Sequence, residues 1–543
     1  MNKLSRSSRR QFLKSTAVVA TSLPATIAWT GSSLALAIER AAGEAATCDV
    51  LVYGSTPGGV CAAVEAARRG CKVVLACPYK RPGGMAASGL STTDAVRPEL
   101  FGGLVAEFIG RVRKYYERTL GRNSPQWPLV NEGWFYEPSV AERAFDEMLT
   151  DEDSRIDYRR GAHLVGAMTA GGKIRQVVLE SADGKKLTVT AKTYIDGTYE
   201  GDLAAAAKVR YRVGREGRDE YGESLAGIHY MNSKTGEQIV TADTGEPSPA
   251  IQAFCARCIF TDDEAKKIPI EKPATYDLHE VDYLPLLNDF ASGRQKSWGK
   301  GTPLPNRKFQ QNGGIDRPTS LNLPGASWAW PEADRHHRAR LAQFHVDHAA
   351  GLLWFLGNDP RVPSHVRKSI GALGLHKDEF TDTGGWPWQI YVRQGRRIEG
   401  RALVTQHNFI KDPKTGRTPR VENAVTLGEH SFDIHPCHDR RFAVDGFLEG
   451  VLWYPKKAFG PAQPGQVPWG ALLPKTIDNL VVPVALSATH VAFSVLRMEP
   501  VWMTTGQLAG LAAAVAKEKN CDVASIDPEP LPKTLGIPTE PPA

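Results

Sequence analysis

Two histidines and a group of arginines are the residues of this chain best suited to move a proton or hold an anion. His490 ends the small-residue run Leu486-Ser487-Ala488-Thr489-His490, shortly before Arg497-Met498-Glu499-Pro500. His435 lies in Asp433-Ile434-His435-Pro436-Cys437-His438. Imidazole titrates near neutral pH, so either ring is suited to take a proton, and a neighbouring carboxylate can orient it. Arg393, Arg396 and Arg397 crowd one short segment. A guanidinium binds a carboxylate or another anion, and it closes an interdomain ion pair equally well. His490, His435 and Arg397 are the catalytic candidates, with Asp94, Asp202 and Tyr391 as reserve bases. For each histidine the bland alternative is a structural hydrogen bond.

These groups need elements to position them, and the first is a strand-loop-helix-strand unit. The apolar run Asp49-Val-Leu-Val-Tyr53 predicts a strand, and an alanine-rich stretch from Gly58 to Arg69 predicts a helix closed by Gly70. A second strand is predicted over Lys72–Ala76. The loop between strand and helix reads Gly54-Ser55-Thr56-Pro57-Gly58-Gly59. Glycines there permit a tight turn and close approach, and the helix start offers free N–H groups and partial positive charge to a pyrophosphate. Thr56 replaces the usual middle glycine. Ala76-Cys77 replaces the acid that would hold a ribose, which leaves that contact to Lys80 or Arg81.

Three further motifs follow in order. Gly83-Gly84-Met85-Ala-Ala-Ser88-Gly89 would let the chain pass against a planar group. Ile195-Asp196-Gly197-Thr198-Tyr199-Glu200-Gly201-Asp202 ends a later strand. The last motif is Asp478-Asn479 through His490 and Arg497 to the helix that carries Gly506 and Gly510. Pro500 and Glu499 suit the start of that helix. Together the four motifs resemble the FAD-dependent oxidoreductases related to fumarate-reductase and glutathione-reductase flavoproteins. The nearest resemblance is to an exported bacterial branch sometimes labelled xanthan lyase. Gly351-Leu-Leu-Trp354 to Pro360 and Tyr391-Val-Arg393 to Gly400 extend it through the middle of the chain.

The resemblance implies an α/β fold: a three-layer ββα FAD/NAD(P)-binding, Rossmann-like domain split by a large α+β insert. The expected order is a leader over 1–37, the first part of the FAD domain over 46–214, and a substrate domain over 215–440. The FAD domain resumes over 441–520, and a proline-rich tail covers 521–543. FAD is the implied cofactor, held by Gly54, Ser55, Thr56, Pro57, Gly58, Gly59, Gly83, Gly84, Met85, Asp196, Gly197, Thr198, Ser487, Thr489 and Gly506. The implied chemistry is hydride transfer from a small or carbohydrate-like substrate to flavin N5. Two alternatives stand beside it: a flavin-containing lyase, and a polysaccharide-binding protein on a degenerate flavin fold.

Ser8-Arg9-Arg10-Gln11-Phe12-Leu13-Lys14 matches the twin-arginine export pattern, and Ala35-Leu36-Ala37 offers a cleavage site. The expected location is therefore periplasmic or secreted, with the twin-arginine export machinery as a partner. The stretch between these sites is too short and too weakly apolar to anchor in a membrane. Loss of its five basic residues lowers the formal charge from +6 to +1, so the basic balance implies no nucleic-acid partner. Cys255-Ala-Arg-Cys258 has redox or metal spacing, but no second pair accompanies it, and no metal site is expected. Asp262-Asp263-Glu264 reads as a helix start. Six tryptophans of the insert, among them Trp330, Trp386 and Trp388, suit core packing or sugar stacking.

Overall fold

The computed structural model describes residues 44–231, 242–314, 317, 319–453 and 463–542. The leader expected over 1–37 lies outside the described residues. Strand β1 (Glu44–Tyr53) leads into helix α1 (Pro57–Arg68), and β2 (Val73–Cys77) returns parallel beside β1. Thr56 caps α1 by accepting from the Gly59 amide at 3.2 Å, and Pro57 at the first turn gives up no needed donor. Strands β3 (Ile156–Arg160), β4 (His163–Ala170), β5 (Lys173–Glu180) and β6 (Lys186–Asp196) follow. The sheet order is β3-β2-β1-β6-β5-β4. β7 (Leu480–Val481) returns from the far end of the sequence to pair parallel with Tyr194 and Ile195 of β6.

Side chains alternate across the strands, and this sorts them into two cores. Val50, Val52, Val73 and Leu75 face the helices with Val60 and Val64 of α1. Leu51, Tyr53, Val74 and Ala76 face the other way and pack with Val177, Leu179 and Val189 of the antiparallel β4-β5-β6 meander. The result is the helix, sheet and meander layering of a ββα domain.

Two helices near the C-terminus complete it: α2 (His490–Leu496) and α3 (Glu499–Glu518). α3 crosses α1 with the two backbones nearly touching. A Cβ on Gly506 would lie 2.0 Å from the Gly58 carbonyl oxygen, and one on Gly510 would lie 2.3 Å from that of Ala62.

Between the two halves, five antiparallel strands form a second sheet, in the order Thr302–Leu304, Lys308–Gln311, Cys258–Thr261, Gly374–His376 and Lys267–Ile268. The helix Arg335–Asn358 belongs to the same insert, and Asp334 caps it by accepting from the His337 amide. The expected helix start at Asp262-Asp263-Glu264 is a turn. Strand Cys258–Thr261 ends there, the Asp263 carboxylate accepts from the Ala265 amide, and Asp262 pairs with Lys300 and Arg307. The C-terminal tail is more ordered than its prolines suggest. Residues Pro530–Leu535 form a short helix, and Leu531 and Ile537 are buried in the main core.

Candidate active site

The parallel strands end at the loop Gly54-Ser55-Thr56, which lines a narrow cavity of about 50 Å³ together with Pro78, Gly84, Thr198 and Glu200. Tyr79, Asp202, Arg338, Trp388 and Gln389 are shared with a much larger cavity of about 1310 Å³ between the FAD-type domain and the insert. Trp330, Trp386 and Trp388 line the large cavity. Gly54 has φ +102° and rests on the next motif, since a Cβ there would lie 2.7 Å from the backbone of Gly197 and Thr198. Thr56 Oγ1 donates to the Gly197 carbonyl at 2.6 Å. The Asp196 carboxylate is spent on its own loop, accepting from the amides of Thr198 and Ala204 and from Thr198 Oγ1.

The second glycine motif joins the two domains. Gly84 (φ +47°) makes room for Tyr199, whose hydroxyl accepts from the Met85 amide at 2.9 Å and donates to Glu499 Oε1 at 2.7 Å. Glu499 opens α3 in full burial, and that burial pushes its carboxyl up to about 8, so it carries its proton at neutral pH. Four residues further along the motif, Ser88 Oγ donates to the Gln389 carbonyl and accepts from its amide, both at 2.9 Å. Gly89 abuts the Arg257 carbonyl.

Just beyond this seam lies a buried cluster of Arg257, Tyr391, Arg393, Asp433, His435 and Arg497. The Arg257 and Arg393 guanidinium carbons sit 3.8 and 4.9 Å from the centre of the Tyr391 ring. Arg497 pairs with Asp433 at 2.8 Å. His435 accepts at Nδ1 from the Asn322 side-chain amide, at 2.9 Å, and turns Nε2 toward Asp433 Oδ1 at 3.6 Å. Burial, then Arg393, Arg497 and Arg257, hold this imidazole well below its ordinary value, so it is neutral.

A second buried cluster contains His490 and Arg397. Arg397 pairs with Glu216 at 2.7 Å and donates to the carbonyls of Ala488 and Gly214. The other carboxylate oxygen of Glu216 accepts from the His490 amide at 2.8 Å. Arg215 pairs with Glu449 at 2.7 Å, and Thr489 Oγ1 donates to Glu223. The His490 ring is held neutral by burial and by Arg215 and Arg397. Both its nitrogens are buried without hydrogen bonds.

The profile of the family described as "FAD dependent oxidoreductase" matches residues 49–535, nearly all of the described chain. The chain belongs to this family. It is an oxidoreductase, and FAD is its cofactor. Comparison with curated proteins finds no match. Solved structures that resemble parts of the chain include a myxobacterial chondrochloren halogenase (17% identity, 41% of this chain and 45% of that one, TM-score 0.24). Others are a 3-ketosteroid-Δ4-(5α)-dehydrogenase from Rhodococcus jostii (15%, 28% and 46%, TM-score 0.19) and the L-proline dehydrogenase from P. horikoshii (14%, 32% and 25%, TM-score 0.19). The chain thus spans less than half the length of each of these proteins.

The residues of this FAD dependent oxidoreductase fit a dinucleotide. Gly54, Ser55 and Thr56, the small residues that lead into α1, line the cavity, and two buried polar atoms of its wall, Gln389 Oε1 and Trp388 Nε1, lack partners. Among the residues expected to hold FAD, Gly54, Ser55, Thr56, Gly84 and Thr198 line the narrow cavity. Pro57, Gly58, Gly59, Gly83, Met85, Asp196, Gly197, Ser487, Thr489 and Gly506 do not; they shape the loops and helix crossing behind it. Of the two groups expected to replace the missing ribose acid, Arg81 lines the narrow cavity and is also tied to Glu142 and Asp382, both at 2.7 Å, whereas Lys80 is exposed and lines neither cavity. Two carboxylates on the cavity wall come from the segment after β6: Glu200, whose Oε1 accepts from Trp330, and Asp202, which pairs with Arg338 and Arg396.

Sequence reasoning missed Arg257, which stands inside the Cys255-Ala-Arg-Cys258 motif that drew attention for its cysteines. Those cysteines are free and buried, and burial raises the Cys258 thiol. It also missed a group of His279, Asp282 and His348, which bring one potential metal-ligand atom each within 4.8 Å of one another inside the insert. His348 sits on a different helix from the other two, so no linear spacing announces the group.

Proposed function

We propose that this FAD dependent oxidoreductase is exported by the twin-arginine route and oxidises a small or carbohydrate-like substrate, with His435 as the proton acceptor. When bound, FAD supplies two-electron chemistry by accepting hydride at N5. The start of α1 and the Gly54-Ser55-Thr56 loop would hold the pyrophosphate, and Glu200 would accept from a ribose hydroxyl. Tyr199 and the protonated Glu499 would fix the second glycine motif against the start of α3.

The observation that supports the reading is the placement of His435: a buried imidazole held between the Asn322 amide at 2.9 Å and Asp433 at 3.6 Å, in the cluster beside the seam of Gly89, Arg257 and Gln389. Nδ1 accepts from the Asn322 side-chain amide, so the neutral ring carries its hydrogen on Nε2, toward Asp433, and would take the substrate's proton at Nδ1 in exchange for the Asn322 bond. The cation so formed is stabilised by Asp433, which already pairs with Arg497. Export rests on Arg9 and Arg10, and lysine at both positions should leave an uncleaved precursor in the cytoplasm.

The chemistry is tested on the purified mature protein. It should be yellow, with close to one FAD per chain. A panel of sugars, sugar acids and hydroxy acids, added without oxygen, should contain a member that bleaches the flavin. A colourless protein that cannot be loaded with FAD would refute the reading.

A further inference from the structure

Arg257 and Arg393 are an anomaly of charge. They are 4% and 0% exposed, and no carboxylate among the described residues lies within ion-pairing distance of either. Arg393 donates to the Ala253 carbonyl and, at 3.4 Å, to Cys255 Sγ; Arg257 makes one long bond, 3.4 Å, to the Leu90 carbonyl. The Nε atoms of both are buried without partners. The nearest carboxylates are otherwise engaged: Asp433 pairs with Arg497, and Asp94 accepts from Thr92 Oγ1. Three guanidiniums therefore share one contacting carboxylate. A buried charge without a counter-charge carries a desolvation penalty of several kcal/mol, so such groups are normally paired. None of these side chains lines either cavity; the chain next to them does, since Gln389 and Ile390, which precede Tyr391, line the large one.

We infer that Arg257 and Arg393, set against the Tyr391 ring, form the seat of a substrate carboxylate. The inference rests on His435 marking the place of oxidation, and it makes the substrate an organic acid: a sugar acid or a hydroxy acid, in preference to a neutral sugar. Two guanidinium groups, each with an unpartnered Nε–H and no carboxylate of the protein in contact, supply the donors and the charge that a carboxylate's two oxygens take. The neutral His435 in the same cluster leaves the anion to the arginines. The same charge would also suit the anion of a reduced flavin, and the experiment separates the two sources.

Melting temperature is measured for the wild type and for Arg393→Met, Arg393→Lys and Arg257→Met, at constant ionic strength. The probes are glycolate, gluconate and glucuronate, against ethylene glycol, glucose and sulfate. The wild type should be stabilised in a saturable way by at least one carboxylate and by none of the neutral compounds. Both methionine variants should weaken the apparent affinity at least about tenfold, and lysine should restore part of it. FAD content and flavin midpoint potential are measured on the same samples. Equal response to acids and neutral compounds, or unchanged affinity in the variants, overturns the proposal. So does a lowered flavin potential with carboxylate binding intact, which would assign the arginines to the reduced flavin. The melting readout does not depend on bound flavin, so absence of FAD would defeat the functional reading while still deciding this one.

Discussion

The two buried clusters each set a histidine among arginines and carboxylates and differ in how their charges are matched. Around His490, Arg397 meets Glu216 and Arg215 meets Glu449, and the second oxygen of Glu216 holds the backbone at the start of α2. Around His435, Arg257 and Arg393 meet carbonyls, a thiol and a tyrosine ring. A cation balanced inside the protein fixes geometry. A cation left unbalanced keeps its field for something that arrives later. The first cluster thus braces the loop 486–490, and the second is the place proposed for the chemistry.

The sharpest way to break the comparison is to exchange roles between the histidines. His435→Gln keeps a polar side chain and removes the base, so flavin reduction by the best substrate should slow roughly 100- to 10,000-fold with FAD content unchanged. His490→Gln should leave that rate within a few-fold. A stopped-flow measurement with the opposite ranking would reverse the assignment of the two clusters.

Next in size is the brace itself. Glu216→Gln leaves Arg397 buried without its counter-charge, and loss of one partner of a buried pair costs about 3–5 kcal/mol. Denaturant unfolding should show that loss. A change close to zero would mean that the pair does not hold the loop.

A smaller effect sharpens the seam between the clusters. Glu499 has its carboxyl raised to about 8 by burial. Its folded form therefore binds a proton more tightly than the unfolded chain. That contribution to stability is full below about pH 4.5, the ordinary carboxylate value, and is lost as pH rises toward and through about 8. Glu499→Gln, neutral at every pH, should flatten the fall in melting temperature between about pH 6 and pH 9. An unchanged slope would show that another group titrates there.

Much of the frame is legible in the sequence, because its signals are local. The strand, Gly54-Ser55-Thr56 loop and Thr56-capped helix lie within one short run, and their periodicity and capping announce them. The chemistry is less legible because it is assembled across distance. Ser88 meets Gln389 across 301 positions of sequence, and Tyr199 meets Glu499 across 300. Arg393, Arg396 and Arg397 are neighbours in sequence yet part company in space: Arg396 pairs with Asp202 and Glu332, Arg397 pairs with Glu216, and Arg393 pairs with no carboxylate. Residue type alone could not tell them apart, since which partner each one meets is set by the insert's packing. Glu200 carries no sequence signal of its own beyond its place after the strand that ends at Asp196, since the cavity wall it supplies exists only once β6 and the insert are docked.

The measurement that tests the contrast most directly is the melting temperature of Arg393→Met beside that of Arg397→Met, in one buffer free of carboxylates. Removing a buried cation that has no counter-charge relieves a penalty, whereas removing one that is paired strands its partner. Arg393→Met should therefore melt at or above the wild-type temperature, and Arg397→Met well below it. Equal losses in the two variants would contradict the account, because they would show both arginines to be ordinary parts of the brace.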